Sequence, residues 1–399
     1  MAFIRLFWYY IKVYYFWEVI IVLKRITSVL TAVILIVSML SGCGNSTESG
    51  SGFKIGIMTG TVAQGEEEYR TAQMLKEKYP DIIECVTYPD NFVKEQETTI
   101  ANMMQLASDP DIKVIIMCIG ITGASSAFEK VKEERPDILL ICGNTVEDPD
   151  MMADIVDILI HPDEVNMGYT IPQQAKEMGA ETLVHYSFPR HMASPLYKER
   201  FEIMKEECER LGITFVEETC PDPMGDLGIS GAQMFMLEDI PKKVAQYGKN
   251  TAFFNTNCSM QEPLIKASLD NGAIVAQQCC PSPYHGYPGA LGISVDEEHA
   301  GDTDYIINAI KEKVAEKNGT GRFSTWETPV NMTIIESAVE YAIKYGNGET
   351  NGKNDPVALQ EAFDKVAGEG NITMSNYKSV ITGEELSNVY MILGKYVNF

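Results

Sequence analysis

The chain has 399 residues, with 32 Lys or Arg against 56 Asp or Glu and a formal charge of −24. That length suits two domains, and the charge repels nucleic acid and anionic headgroups, which excludes both as partners. Nine cysteines are scattered with no CxxC spacing, which argues for mostly free thiols.

Lys24-Arg25 precede a run from Ile26 to Leu40 that is apolar apart from Thr and Ser, and Leu40-Ser41-Gly42-Cys43 follows. A basic region, a short apolar stretch and small residues before a cut are the features of an export signal. The run is short for a membrane span. The Cys after Leu-Ser-Gly resembles the bacterial lipoprotein box. By that resemblance residues 1–42 are a signal peptide and Cys43 is lipidated as the mature N-terminus. The aromatic segment 1–23 precedes a complete signal and reads as a start codon placed too early. Residues 43–52 are rich in Ser, Gly, Asn and Thr, the composition of a flexible tether.

From Phe53 strands and helices alternate. Strands are expected at Phe53–Met58, Ile82–Thr87, Lys113–Cys118 and Asp137–Cys142, and helices at Gly65–Lys78, Phe92–Ala107 and Gly123–Glu134. The stretch from Asp154 to Asn166 then reads as a buried strand ended by His161-Pro162, with Asp163 as the N-cap of a helix. It is the first crossing between two lobes. The second lobe repeats the beat. Helices fall at Glu164–Met178, Pro195–Leu211, Ile229–Tyr247 and Gln261–Asn271, and strands at Thr182–Tyr186, Ile213–Glu217, Thr251–Asn255 and Ala273–Ala276. In the tail, Leu291–Val295 reads as a strand returning to the first lobe, with helices at Asp302–Lys317, Thr333–Tyr345 and Pro356–Ala367 and a strand at Tyr390–Leu393. The fold class is α/β, two Rossmann-like lobes with parallel sheets. The first lobe is expected to span 53–160, joined by about 286–330, and the second 161–285, joined by about 331–399.

Parallel sheets bind ligands beyond the carboxyl ends of their strands. That rule selects Thr59, Gly60 and Thr61, then Thr122, Asn144 and Thr145 in the first lobe. In the second it selects Ser187, Phe188, Arg190, His191, Asp222, Asn255, Asn257, Gln277 and Gln278, with Tyr284 as a further cleft candidate. Hydroxyls, amides and one guanidinium suit a small polar ligand held by hydrogen bonds. The Arg190 fork can grip a carboxylate or a diol; the plainer reading is a surface ion pair. Phe188 can stack on a ligand or pack at a lobe edge, and Asn255 and Asn257 can contact a ligand or form a turn.

Cys279-Cys280 sit beside His285 in a Pro/Gly-rich loop. Thiols there could take a soft metal or do redox work, but adjacent cysteines lack the usual zinc spacing. The favoured reading is a rigid linker with buried thiols, no metal and no cofactor. Nucleophile-elbow, GxGxxG and P-loop motifs are absent, so no catalytic residue is assigned.

The lipoprotein box together with the two alternating lobes resembles the type I periplasmic-binding-protein class. More narrowly, His185–Met192, Asp222–Asp226, Phe253–Pro263 and Cys279–Gly289 resemble an uncharacterised bacterial lipoprotein family of that class. The resemblance covers about residues 53–300. It implies type I architecture and a membrane-anchored, extracytoplasmic solute-binding protein serving an ABC permease or a membrane sensor. The Asp and aromatic clamps of ribose-type binders have no clear match, which argues against a simple hexose or pentose. The alternatives are an exported enzyme using Cys279, Cys280 or His285, and a ligand-free accessory interaction module.

Overall fold

The computed structural model describes residues 52–295, 299 and 301–399. The export signal, Cys43 and nearly all of the tether lie outside the described residues.

The first lobe is built on five consecutive strands joined by four helices. Its strands are β1 (Lys54–Thr59), β2 (Ile83–Thr87), β3 (Ile112–Met117), β4 (Leu139–Gly143) and β5 (Ile158–Pro162). Helices α1 (Val62–Lys78), α2 (Gln96–Ala107), α3 (Ala124–Glu134) and the short α4 (Pro149–Ala153) connect them. The β-branched runs explain the burial. Ile55, Ile57, Val114 and Ile116 feed one core, while Met58, Ile115 and Met117 feed another on the opposite face. A parallel sheet sandwiched by helices needs this two-sided apolar character.

The chain leaves this sheet at Pro162. Asp163 caps α5 (Glu164–Glu177) by accepting from the Asn166 amide at 2.9 Å, as the Pro-Asp sequence dictates. The second lobe follows with β6 (Thr182–Ser187), α6 (Pro189–Met192), α7 (Pro195–Leu211), β7 (Thr214–Thr219), α8 (Gly228–Tyr247), β8 (Thr251–Asn255) and α9 (Gln261–Asn271). Its parallel sheet has the order β7-β6-β8. Isolated parallel bridges extend it through Ile274 and Val275 to Phe323.

The tail corrects two expectations. Leu291–Val295 is not a strand. α10 (Tyr287–Leu291) is a helix with Pro288 at its start and left-handed Gly292 (φ 66°) as its cap, the usual signature of a short helix. α10 and α11 (Thr303–Glu316) share the second lobe's core with α9, so residues 286–295 and 301–324 belong there and not to the first lobe. β9 (Ser324–Trp326) then leads back to the first lobe, where α12 (Val330–Gly346) packs against the sheet beside α13 (Pro356–Ala367). β10 (Ile372–Lys378) and β11 (Glu385–Gly394) complete that sheet, whose order is β10-β11-β5-β4-β3-β1-β2. The expected placement of 331–399 in the second lobe is therefore reversed for most of its length. The cause is the buried run Val389-Tyr390-Met391-Ile392, which pairs in parallel with Leu159–Pro162 along the open side of β5. The last strand, β12 (Tyr396–Asn398), pairs antiparallel with β9. The lobes are thus joined three times, at 162/163, between 326 and 330, and at 394–396.

Among the described residues no helix is long and apolar enough to cross a membrane.

Candidate functional site

Both sheets aim the carboxyl ends of their strands at the gap between the lobes. A cavity of about 90 Å³ lies there, with walls from both sides. Gln64, Tyr88, Phe92, Ile121 and Asn144 come from the first lobe. Glu164, Arg190, His191, Tyr197, Arg200, Thr256, Asn257 and three cysteines come from the second. The space is well below the several hundred Å³ of a drug-sized site, so in this arrangement it admits only a ligand of few heavy atoms. A larger depression of about 450 Å³ lies between α2 and α3, far from the strand ends. Its one cationic group, Arg135, already donates to the carbonyls of Ala107, Asp109 and Ile112.

In the first lobe Asn144 is the expected residue that reaches the cavity. Its backbone is left-handed (φ 38°), a conformation that Asn tolerates better than most side chains. Its side-chain amide donates to Cys280 Sγ at 3.3 Å and to Asn331 Oδ1 at 3.4 Å, tying the first lobe to the second. The other candidates build the walls. Thr145 accepts from the Glu147 amide at 3.1 Å, and its carbonyl lies 2.9 Å from a ring nitrogen of His161. Thr59 donates to the Gly60 carbonyl, and Thr61 caps α1 and bonds Asp90. A Cβ at Gly60 would sit 2.9 Å from the Tyr88 hydroxyl, so any larger residue there would push the buried Tyr88 ring aside. Thr122 is half-buried beside the lining residue Ile121 and does not line the cavity.

In the second lobe Arg190, His191 and Asn257 line the cavity. The Arg190 fork is already engaged. It donates to both Asp222 oxygens, at 2.9 and 2.8 Å, and lies 5.1 Å from the centre of the Phe188 ring. Burial pushes the Asp222 carboxyl up, but the bonds from Arg190 and the Met224 amide outweigh it and hold the group below its usual range. Phe188 is buried against His191 (centroids 4.2 Å apart), so it is core and not a stacking platform. Ser187, Thr256 and His191 form a hydrogen-bonded chain with steps of 3.0 and 3.1 Å. Burial, then the Arg190 charge, lowers His191 to about 3, so its ring is neutral. Asn257 accepts from the Ser259 amide and hydroxyl.

Asn255 is fully buried one layer back. It donates to Gln261 and accepts from the Asn257 amide. Gln277 and Gln278 are hinge staples. The Gln277 oxygen accepts from Trp326 Nε1 at 3.1 Å and from the Tyr396 hydroxyl, gripping both returning crossings. Gln278 accepts from Thr325 at 2.6 Å and donates to the Ser282 and His285 carbonyls. Tyr284 is half-buried against the second lobe's core and does not line the cavity.

Sequence reasoning missed Arg200 and Glu164. Arg200 lies on the inward face of α7 with Tyr197, Phe201 and Met204, and is 1% exposed. A cation on an otherwise apolar stripe was the available signal. Its Nη1 pairs with buried Glu164, while Nε and Nη2 are buried without a hydrogen-bond partner. The guanidinium lies 5.0 Å from the Tyr197 ring centre and 4.9 Å from that of Phe254. The acidic pair on α1 was also missed. Glu68 accepts from Asn331, and Glu67 is raised to about 8 by burial and by the Glu68 charge.

A family model described as "Protein of unknown function (DUF3798)" matches residues 53–324. Two uncharacterized proteins of Treponema pallidum (strain Nichols) are similar. One is 37% identical over 195 residues, 49% of this chain and 88% of its own length. The other is 34% identical over 208 residues, 48% of this chain and 94% of its own length. Among solved structures, a putative transcriptional regulator from Clostridium difficile 630 superposes with a TM-score of 0.70 at 24% identity, covering 87% of this chain and 99% of that one. A periplasmic solute-binding protein of an ABC transporter from Actinobacillus succinogenes 130z, with bound D-allose, superposes at 0.50 with 12% identity, covering 77% and 99%.

Proposed function

Since the chain belongs to the family of proteins of unknown function DUF3798 and has the type I periplasmic-binding-protein architecture, we propose that it is a lipid-anchored, extracytoplasmic solute-binding protein. It closes its lobes on a small polar ligand and presents the closed form to an ABC importer or a membrane sensor. The observation that carries this reading is Arg200, a buried guanidinium on the cavity wall with two unpartnered donor nitrogens. An unpaired buried donor is costly, and an acceptor-rich ligand such as a carboxylate removes that cost. Asn144, Arg190, His191 and Asn257 complete the polar wall. Three chain crossings, two of them stapled by Gln277, allow hinge closure with few torsion changes. The Leu40–Cys43 sequence supports the anchor. Covalent chemistry has no part in this function.

Native mass spectrometry of freshly purified protein is expected to show a co-purified small molecule. Panels of small organic acids, amino acids, sugars and nucleosides are expected to contain a compound that raises the melting temperature, because it binds only the folded state. Asn257→Ala should weaken that compound at least about tenfold, the loss of roughly 1.4 kcal/mol from one ligand hydrogen bond. A flat response across every panel, with no co-purified mass, overturns the reading.

A further inference from the structure

Three thiols meet where β8 and the Ile274–Ala276 segment end. Cys258 Sγ lies 3.5 Å from Cys279 Sγ and 3.4 Å from Cys280 Sγ. One ligand atom from each of Cys258, Cys279 and His285 falls within 4.8 Å of the others. The sequence shows adjacent cysteines without chelate spacing; the fold supplies Cys258 from 21 residues earlier. We infer that Cys258, Cys279, Cys280 and His285 form a binding site for a thiophilic divalent d10 cation, of which zinc is the common biological case. The inference does not rest on the solute-binding reading, because all four ligands belong to the second lobe.

The histidine gives the independent sign of a ligand. His285 Nδ1 lies 2.7 Å from the Cys280 carbonyl, and Nε2 lies 3.4 Å from the Cys258 carbonyl. A neutral ring carries one N–H, and the shorter contact takes it. The Nε2 lone pair is then left facing an oxygen, which it cannot bond. A carbonyl fixing one ring nitrogen while the other turns to a metal is the usual support for a metal-bound histidine. Zinc bonds of about 2.3 Å to sulfur place tetrahedral sulfurs about 3.8 Å apart, so the Cys258–Cys279 and Cys258–Cys280 separations need to open by only a few tenths of an ångström, while Cys280, outside the 4.8 Å cluster of Cys258, Cys279 and His285, must move further to complete the set.

Binding exchanges three S–H protons for three metal–sulfur bonds and releases the protons to solvent, with no change of oxidation state. The complex carries one net negative charge. Asn144 of the first lobe already donates to Cys280 Sγ, and a metal-bound thiolate accepts that bond more strongly.

The test is titration of reduced, chelator-washed protein with Cd2+ as optical probe and with Zn2+ itself. Expected are one cation per chain, a sulfur-to-cadmium charge-transfer band, three protons released per Zn2+ and a raised melting temperature. Cys258→Ser should lower Zn2+ affinity at least about a hundredfold and His285→Gln at least about tenfold. Cys85→Ser, in the first lobe, should leave both unchanged. Should Cys258→Ser fail to fold, His285→Gln and Cys279→Ala carry the same test. A charge-transfer band that is absent, or that persists undiminished in these variants, overturns the proposal. So does a Cys258–Cys279 or Cys258–Cys280 disulfide in freshly isolated, alkylated protein.

Discussion

The two lobes share one construction and differ in what their strands carry to the gap. The first lobe's seven-stranded sheet ends in Thr59, Gly60 and Thr145, whose polar atoms bond locally, and in Asn144, which reaches across to Cys280. The second lobe has a shorter sheet but contributes two guanidiniums, a carboxylate, a neutral histidine and three thiols to the cavity wall. The broad sheet is a frame and the small one holds the chemistry. Their buried ionisable groups also differ in sign. Glu67 of the first lobe resists ionising, whereas His185 of the second resists protonation.

The sharpest way to break this comparison is at Arg200. Arg200→Met leaves Glu164 buried and unpaired and should cost about 3–5 kcal/mol in denaturant unfolding. Arg200→Met with Glu164→Met should recover most of it; a single variant as stable as the parent would deny that the second lobe holds a strained charge.

Gln277→Leu removes the acceptor shared by Trp326 and Tyr396. It should cost about 1–3 kcal/mol and raise amide exchange in β9 and β12, leaving β3 and β4 protected. Uniform loss of protection would show that the crossings are not a separate unit.

The pH dependences of the two lobes should run in opposite directions. Glu67 is raised from 4.5 to about 8 in the folded state. Its contribution is therefore complete below pH 4.5 and is lost as pH rises towards 8, at no more than about 1.4 kcal/mol per pH unit. Glu67→Gln should flatten that limb. His185 is lowered from 6.5 to about 3 by burial and by Arg200. Its contribution is present above pH 6.5 and is lost as pH falls towards 3. The ring packs against Phe201, Phe215 and Phe254, and neither nitrogen reaches a partner on another residue. His185→Phe should therefore flatten the acid limb with little cost at pH 8. Unfolding midpoints across this range check both.

The smallest effect is expected at Asn144, where the frame bonds Cys280 of the second lobe. Asn144→Gly, which loses the amide's bonds but relaxes the left-handed backbone, should change global stability by less than about 1 kcal/mol, yet small-angle scattering should show the lobes more open.

The alternation from Phe53 to Ala276 was legible because each buried strand is a short apolar run and most helices carry a cap or a stop. The crossing at Pro162-Asp163 was the clearest case. The tail was not legible. β10 reads Ile-Thr-Met-Ser-Asn-Tyr-Lys, half-exposed and polar enough to pass for loop, and β11 finds β5 some 230 residues away in sequence. Local pattern carries no information about such a partner. The loop-selection rule found the correct strand ends but not the function of each side chain there. A glutamine suited to a ligand is equally suited to stapling Trp326. Cys258 gave no local signal, since its neighbours in space lie beyond a whole helix.

Asn144 holds its main chain in a conformation that an alanine would resist and a glycine would adopt freely. Fold and grip therefore pull this position towards different residues. Asn144→Gly would relax the backbone and lose the amide, making a sturdier protein that clasps less well. A search for heat-resistant variants would accept that exchange, and a search for tight binders would refuse it.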